Sequence, residues 1–170
     1  ADQECEAYHG ITFPGLYAMI ARAHMAACGT TEEDLSAVSV KNHHHGALNP
    51  KAQFRREVGL EEVMSSSMVS EPLRLLHCSP VSDGAAAVLL CPLDQAKKYT
   101  DQPVQIIGSG LATGTMTLAE REDPAFLDAV QLSAERAYKM AGVGPADIHV
   151  AEVHGCFSIA GICCTQALGL

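Results

Sequence analysis

His154 and Cys156, two residues apart in AEVHGCFSIAGICC, are the side chains of this sequence best equipped for chemistry. A thiol that gives up its proton becomes a nucleophile, a metal ligand or a proton carrier, and an imidazole orients or shuttles protons near neutral pH. The pair follows an apolar run ending at Val153 and precedes another beginning at Phe157. It therefore stands where a strand ends and a helix begins, the position at which open α/β sheets collect their ligand and reaction sites. A cysteine at a helix N-terminus meets oriented N–H groups that favour the thiolate. Gly155 between the two lets the backbone turn sharply. Spacing alone leaves a structural reading open, in which a buried cysteine and a partly buried histidine close a strand.

Other candidates carry less. His43, His44 and His45 are consecutive, so their side chains diverge, and no matched ligand set accompanies them. An exposed, loop-borne histidine run is expected, and no metal site. In CSPVSDGAAAV, Asp83-Gly84 marks a tight turn, and Ser79 and Ser82 are hydrogen-bond donors beside small alanines. Ser79 lacks the flanking glycines of a nucleophile elbow. Lys41, Lys51, Arg55 and Arg56 form a basic stretch with no acid before Glu57, suited either to a polyanionic ligand or to solvent. Cys163 and Cys164 lie in an apolar helical stretch and read as core.

The elements that must hold these residues follow from periodicity and punctuation. Pro14 opens a helix whose stripe is Leu16, Ile20 and Ala23 or Ala27, and Gly29 stops it. Thr30 with Glu33 reads as a capping box for a second helix. From Lys41 to about Met68 the expectation is loops with short helices. AAAVLL (85–90), VQIIGSG (104–110) and DIHVAEV (147–153) have the length and composition of strands, and LDQAKKY is a short helix. Asp123 caps and Pro124 begins a long helix to Gly142, with Phe126, Val130, Ala134 and Ala137 on its apolar stripe. A last helix runs from about Phe157 to Leu168. Strand–helix alternation predicts an α/β arrangement.

Composition bounds the rest. The chain has 170 residues, 48% of them hydrophobic and 18% charged, which suits a folded core rather than disorder. A net charge of −9 argues against nucleic acid as partner. No apolar run approaches the roughly 20 residues of a membrane span, and the acidic start ADQECEAYHG has neither signal- nor transit-peptide character. Seven cysteines, an odd number with no CxxC pair, point to reduced thiols. The few strands, and a final helix with nothing to return the chain, lead to the expectation that these residues are part of a larger protein.

The order of SPVSDGAAAVLL, the VQIIGSG strand, a long helix and then HGCF resembles the thiolase family, more narrowly its sterol-carrier-protein branch. GITFPGLYAMIARAHM and VKNHHHGALNPKAQFR are similar to that branch too, so the resemblance covers nearly the whole chain. It implies an α/β thiolase-like fold, mixed sheets between helices, with a helical and loop insertion domain. Residues 1–70 would be that loop domain, 71–100 the end of the N-terminal core domain and 101–170 the start of the C-terminal one. It implies an acyl-CoA C-acyltransferase acting on coenzyme A esters without a bound cofactor: thiolysis of a 3-ketoacyl-CoA or the reverse Claisen condensation. His154 would help to form the oxyanion hole for a thioester oxygen, Cys156 would be the acid/base, and Phe157 would line the acyl pocket. Ser79 would meet the pantetheine, and Arg55 or Arg56 the coenzyme phosphates. Dimers or tetramers are implied, mitochondrial or peroxisomal in a eukaryote and cytoplasmic otherwise. The chain departs from the family in three ways. Gly155 stands where the branch has Asp, none of the cysteines upstream of His154 has a serine two residues on, and no Gly-His-Pro occurs. Those departures support a rival expectation, a non-catalytic CoA-binding or scaffolding protein.

Overall fold

Two threonines open the fold. In the computed structural model, which describes residues 2–170, the Thr12 hydroxyl accepts from Gly15 N at 3.2 Å and α1 runs Phe13–Cys28. Gly29 ends it at φ 74°, where a side chain would be strained. The stripe Leu16, Ile20, Ala21 and His24 is buried, while Ala27 is exposed. The second cap is Thr31, one residue after the expected Thr30. Its hydroxyl accepts from Asp34 N and the Asp34 carboxylate accepts from Thr31 N, at 3.2 and 2.8 Å. Thr30 instead meets the buried His24, with 2.7 Å between Thr30 Oγ1 and His24 Nδ1. Helix α2 then spans Glu32–Leu48. It carries through Lys41 and the three histidines where loops are expected, because that polar run contains no breaker.

After α3, Leu60–Ser65, comes a hairpin the sequence does not announce. β1, Met68–Ser70, pairs antiparallel with β2, Leu73–Arg74, and Leu73 is fully buried beneath it. A 3-10 turn at Leu75–His77 seats His77 in the interior. Arg74 N donates to His77 Nδ1 at 3.1 Å, so Nε2 carries the hydrogen and donates to Ser36 Oγ at 2.9 Å. Helix α4 is short, Leu93–Ala96.

The three expected strands at 85–90, 104–110 and 147–153 are not in a sheet; among the described residues the only sheet is β1–β2. A strand is defined by its neighbour's hydrogen bonds, and these runs have no neighbour here. Their apolar side chains stand open, with Val88 82%, Val104 94% and Val150 84% exposed. The 104–111 run is nonetheless held against α5, Asp128–Ala141. A Cβ on Gly108 or Gly110 would overlap the backbone carbonyl of Ala137 or Ser133, so only glycine permits this approach. Helix α5 starts four residues after Pro124. Asp123 caps a turn instead, its carboxylate accepting from Ala125 N at 2.8 Å. Helix α6, Ser158–Ala167, is the centre of the packing: Ile159, Ala160, Gly161, Cys163, Cys164 and Ala167 are all buried against α1, α2 and α5. Leu16, Ile20, Leu35, Leu73, Phe157, Ile159 and Cys163 share one core. No helix among the described residues is long and apolar enough to cross a membrane.

Candidate functional site

The segment between Val153 and α6 is drawn toward the chain that follows His77. Ser79 N donates to Cys156 O at 2.9 Å, and Cys78 bridges antiparallel to Phe157. Two stretches that sequence alone treats separately, CSPVSDG and HGCF, are thereby one site. Phe157 caps α6 and is buried, and its ring stacks on Tyr17 with centroids 4.4 Å apart and planes 26° apart. Phe13, one turn earlier on α1, approaches both rings at 5.3 and 5.7 Å. This aromatic wall ties α1 to the entrance of α6, directly beside the half-buried Cys156.

Tyr17 is the residue that sequence reading misses. Burial, followed by the neighbouring Cys156, pushes its phenol well above the usual range. Arg121 lies close enough to favour the phenolate, and its Nη1 is buried with no hydrogen-bond partner among the described residues. Burial, then the neighbouring Cys156, raises the Cys78 and Cys164 thiols. Cys163 is pushed to about 11, mainly by burial, and donates to Ala125 O at 3.4 Å, in keeping with a core role.

His154 has an exposed side chain, and its carbonyl takes the Cys164 Sγ at 3.9 Å. Gly155 has an ordinary negative-side backbone, and a Cβ there would meet nothing within 4 Å, so the turn does not require glycine as expected. Gly155 instead borders a cavity of about 370 Å³ between α2 and α6, whose wall includes Lys41, Asn42, Val153 and Ile162. One end of the basic stretch is thus brought to the site. Its other end is not: the Arg56 guanidinium is paired with Glu62 at 2.6 and 3.0 Å, and Arg55 is exposed with a 3.4 Å bond to Pro50 O. Cys156-Phe157-Ser158 is a Cys-x-Ser spacing, but Ser158 Oγ is buried against Ser39 Oγ at 2.8 Å. The histidine run lies on α2 rather than on a loop; His44 and His45 are exposed, the half-buried His43 is bonded to Arg56 O, and His44 to Glu57. No group of three metal-ligating side chains converges among the described residues.

Residues 110–170 match the model of the thiolase C-terminal domain-like family. An acetyl-CoA acetyltransferase of Methanothermobacter thermautotrophicus is 54% identical over 99% of this chain. The chain is thiolase-like. Sterol carrier protein 2 of Gallus gallus, 35% identical over 92% of the chain, agrees with the branch named by the HGCF stretch. The structure of the Ltp2–ChsH2(DUF35) aldolase superposes with a TM-score of 0.86, at 29% identity over 96% of this chain and 44% of that one. The fold is therefore thiolase-like although the sheet-forming runs are unpaired. The chain spans 44% of the length of the acetyltransferase and 30% of the sterol carrier protein.

Proposed function

We propose that these residues belong to a thiolase-type acyl-CoA C-acyltransferase, in which 1–70 form the loop domain, 71–100 close one core domain and 101–170 begin the next. The observation that carries this reading is the Ser79–Cys156 hydrogen bond with the Cys78–Phe157 bridge, which joins the two thiolase-like stretches at one point. In thiolysis of a 3-ketoacyl-CoA the C2–C3 bond breaks, C3 is passed as an acyl group to a thiol, and C2 takes up a proton. In this reading Cys156 delivers that proton and His154 donates to the thioester oxygen whose charge grows as C2 becomes enolate-like. Phe157, within the aromatic wall, bounds the acyl group. Ser79 lies beside Cys156 at the pantetheine end, and Lys41 on the adjoining cavity suits the polyanionic coenzyme better than the paired Arg56; exposed Arg55 remains a phosphate contact from the loop domain. The acyl-accepting cysteine and the Gly-His-Pro histidine of the family would come from outside these residues. The assembly would be a dimer or tetramer.

In the natural full-length protein, Cys156→Ala and His154→Ala are each expected to lower the turnover of 3-ketoacyl-CoA plus CoA about 10²- to 10⁴-fold, with CoA binding kept. Wild-type protein inactive in both thiolysis and condensation sinks the proposal and leaves the CoA-binding or scaffolding alternative.

The likeness to the Ltp2–ChsH2(DUF35) aldolase favours a second reading: carbon–carbon cleavage of a 3-hydroxyacyl-CoA, beside a DUF35-type partner. Such a retro-aldol step needs no acyl-cysteine. Release of an aldehyde or ketone without consumption of free CoA separates it from thiolysis.

A further inference from the structure

Gly155 lacks a side chain at a place where the backbone does not demand that. Its φ is not positive, and a Cβ there would meet nothing within 4 Å. The room so left belongs to the cavity of about 370 Å³ between α2 and α6, which Gly155 borders one residue before Cys156. At ~30 Å³ per water molecule this is the share of about a dozen waters, enough for a short acid and too little for a whole nucleoside phosphate. Each helix gives the cavity one face. On α2, Lys41 and Asn42 follow Val38 by three and four residues, and on α6 Gln166 follows Ile162 by four. We propose that this cavity is an anion pocket opened by Gly155, which receives a carboxylate or phosphate group carried on a short aliphatic stem. The inference rests on the acyl-CoA reading above and adds a ligand group to it.

The lining selects by charge. None of the residues around the cavity is acidic, although the chain as a whole carries a net charge of −9. Arg22, Arg56 and Arg74 are each paired with a glutamate, whereas Lys41 is in no ion pair among the described residues. Its ammonium is free to make charge-assisted hydrogen bonds to a ligand oxygen. Asn42, beside it, adds an amide. Gln166 is held from behind by His24, which is only 1% exposed. His24 Nδ1 accepts from the Thr30 hydroxyl at 2.7 Å, and its Nε2–H donates to Gln166 Oε1 at 2.6 Å. The Gln166 carbonyl is thereby taken, and its amide N–H groups are what it has left to offer the cavity. Val38, Val153 and Ile162 supply an apolar wall for the stem. A cationic group would meet the Lys41 ammonium, and a bare hydrocarbon would desolvate it without a partner.

The test is isothermal titration of the natural full-length protein with CoA, its S-butyl thioether and its S-(3-carboxypropyl) thioether. Thioethers transfer no acyl group, so binding alone is read. Two variants probe the pocket from different elements. Lys41→Met keeps an unbranched side chain and removes the charge, and Gly155→Asp sets a carboxylate against an incoming anion. Each is expected to weaken the anion-bearing ligand roughly tenfold, the size of a lost hydrogen bond to a charged group. If the acyl group carries the anion, Lys41→Met weakens the carboxypropyl thioether alone and erases its advantage over the butyl thioether. If the coenzyme carries it, all three ligands weaken alike. Unchanged affinities for all three in either folded variant overturn the proposal, and sensitivity to Lys41→Met alone would place the anion outside the cavity and overturn it too. Should Gly155→Asp fail to fold, Gly155→Val, which fills the space without charge, is read by the same criterion. Wild-type protein that binds none of the three defeats the acyl-CoA reading itself, and the pocket with it.

Discussion

At the scale of single residues, the site is a thiol among groups that keep their protons. Cys78, Cys163, Cys164 and Tyr17 are all shifted upward, chiefly by burial, which disfavours each charged form. His77 follows the same rule with the opposite sign: burial disfavours its cation and lowers its pKa. Its Nδ1 accepts from Arg74 N and its Nε2–H donates to Ser36, an arrangement that only the neutral ring completes. An unfolded histidine takes up its proton near pH 6.5 and the folded one does so lower. The contribution of His77 is therefore complete above about pH 6.5 and is lost as pH falls from there through the lower folded value. His77→Gln leaves Arg74 N without its acceptor and is expected to cost about 1–3 kcal/mol at pH 8. The gap between wild type and variant should narrow from pH 7 to pH 5 in urea melts. A gap independent of pH would show that His77 is not neutral in the folded protein. His154 and Cys156 were legible as a pair because their types and their place before an apolar helix are local features. Tyr17 was not, because it sits on α1 with nothing in its own surroundings to mark which ring it stacks on.

At the scale of elements, the glycine stops were read well, the threonine cap fell one residue short, and hydrogen-bond partnership was not legible. Gly29 and Gly142 stop α1 and α5 in left-handed conformations, as their positions after apolar stripes indicate. Thr31 displaced Thr30 because two threonines in sequence offer two registers, and Asp34 together with His24 selects one. The lean of residues 104–111 on α5 depends on two glycines, and this makes a sharp prediction. Gly110→Ala drives a Cβ into the Ser133 carbonyl, a rigid helix backbone that cannot yield as a side chain would. The expected loss is at least about 1–3 kcal/mol by denaturant unfolding. Gly155→Ala, where the same Cβ meets open space, is the control and should stay within about 0.5 kcal/mol. Equal stabilities for the two variants would mean that 104–111 does not rest on α5 as described.

For the whole molecule, the balance lies between a helical core that is well packed around α6 and apolar runs that are not covered. Val88, Leu89, Val104 and Val150 all stand at least 80% exposed, in segments whose composition suits strands. Contiguous apolar surface with unpaired backbone favours association. The 170 residues made alone are expected to self-associate and to bind a hydrophobic dye, more so as salt screens the net charge of −9. Light scattering that returned a monodisperse 18.0 kDa species with no dye binding would contradict this. The sequence by itself determined the helices α1 and α6 and the thiolase-like character of the chain. These rest on spacing, capping and motif order, all of which are written locally. Only the tertiary structure decided that CSPVSDG meets HGCF, that Tyr17 stacks on Phe157, that Arg56 is spent on Glu62, and that the apolar runs remain outside a sheet. Each of those depends on which distant group arrives as a neighbour, and a hydrogen bond, a stacked ring or a strand has no existence until that second partner is in place.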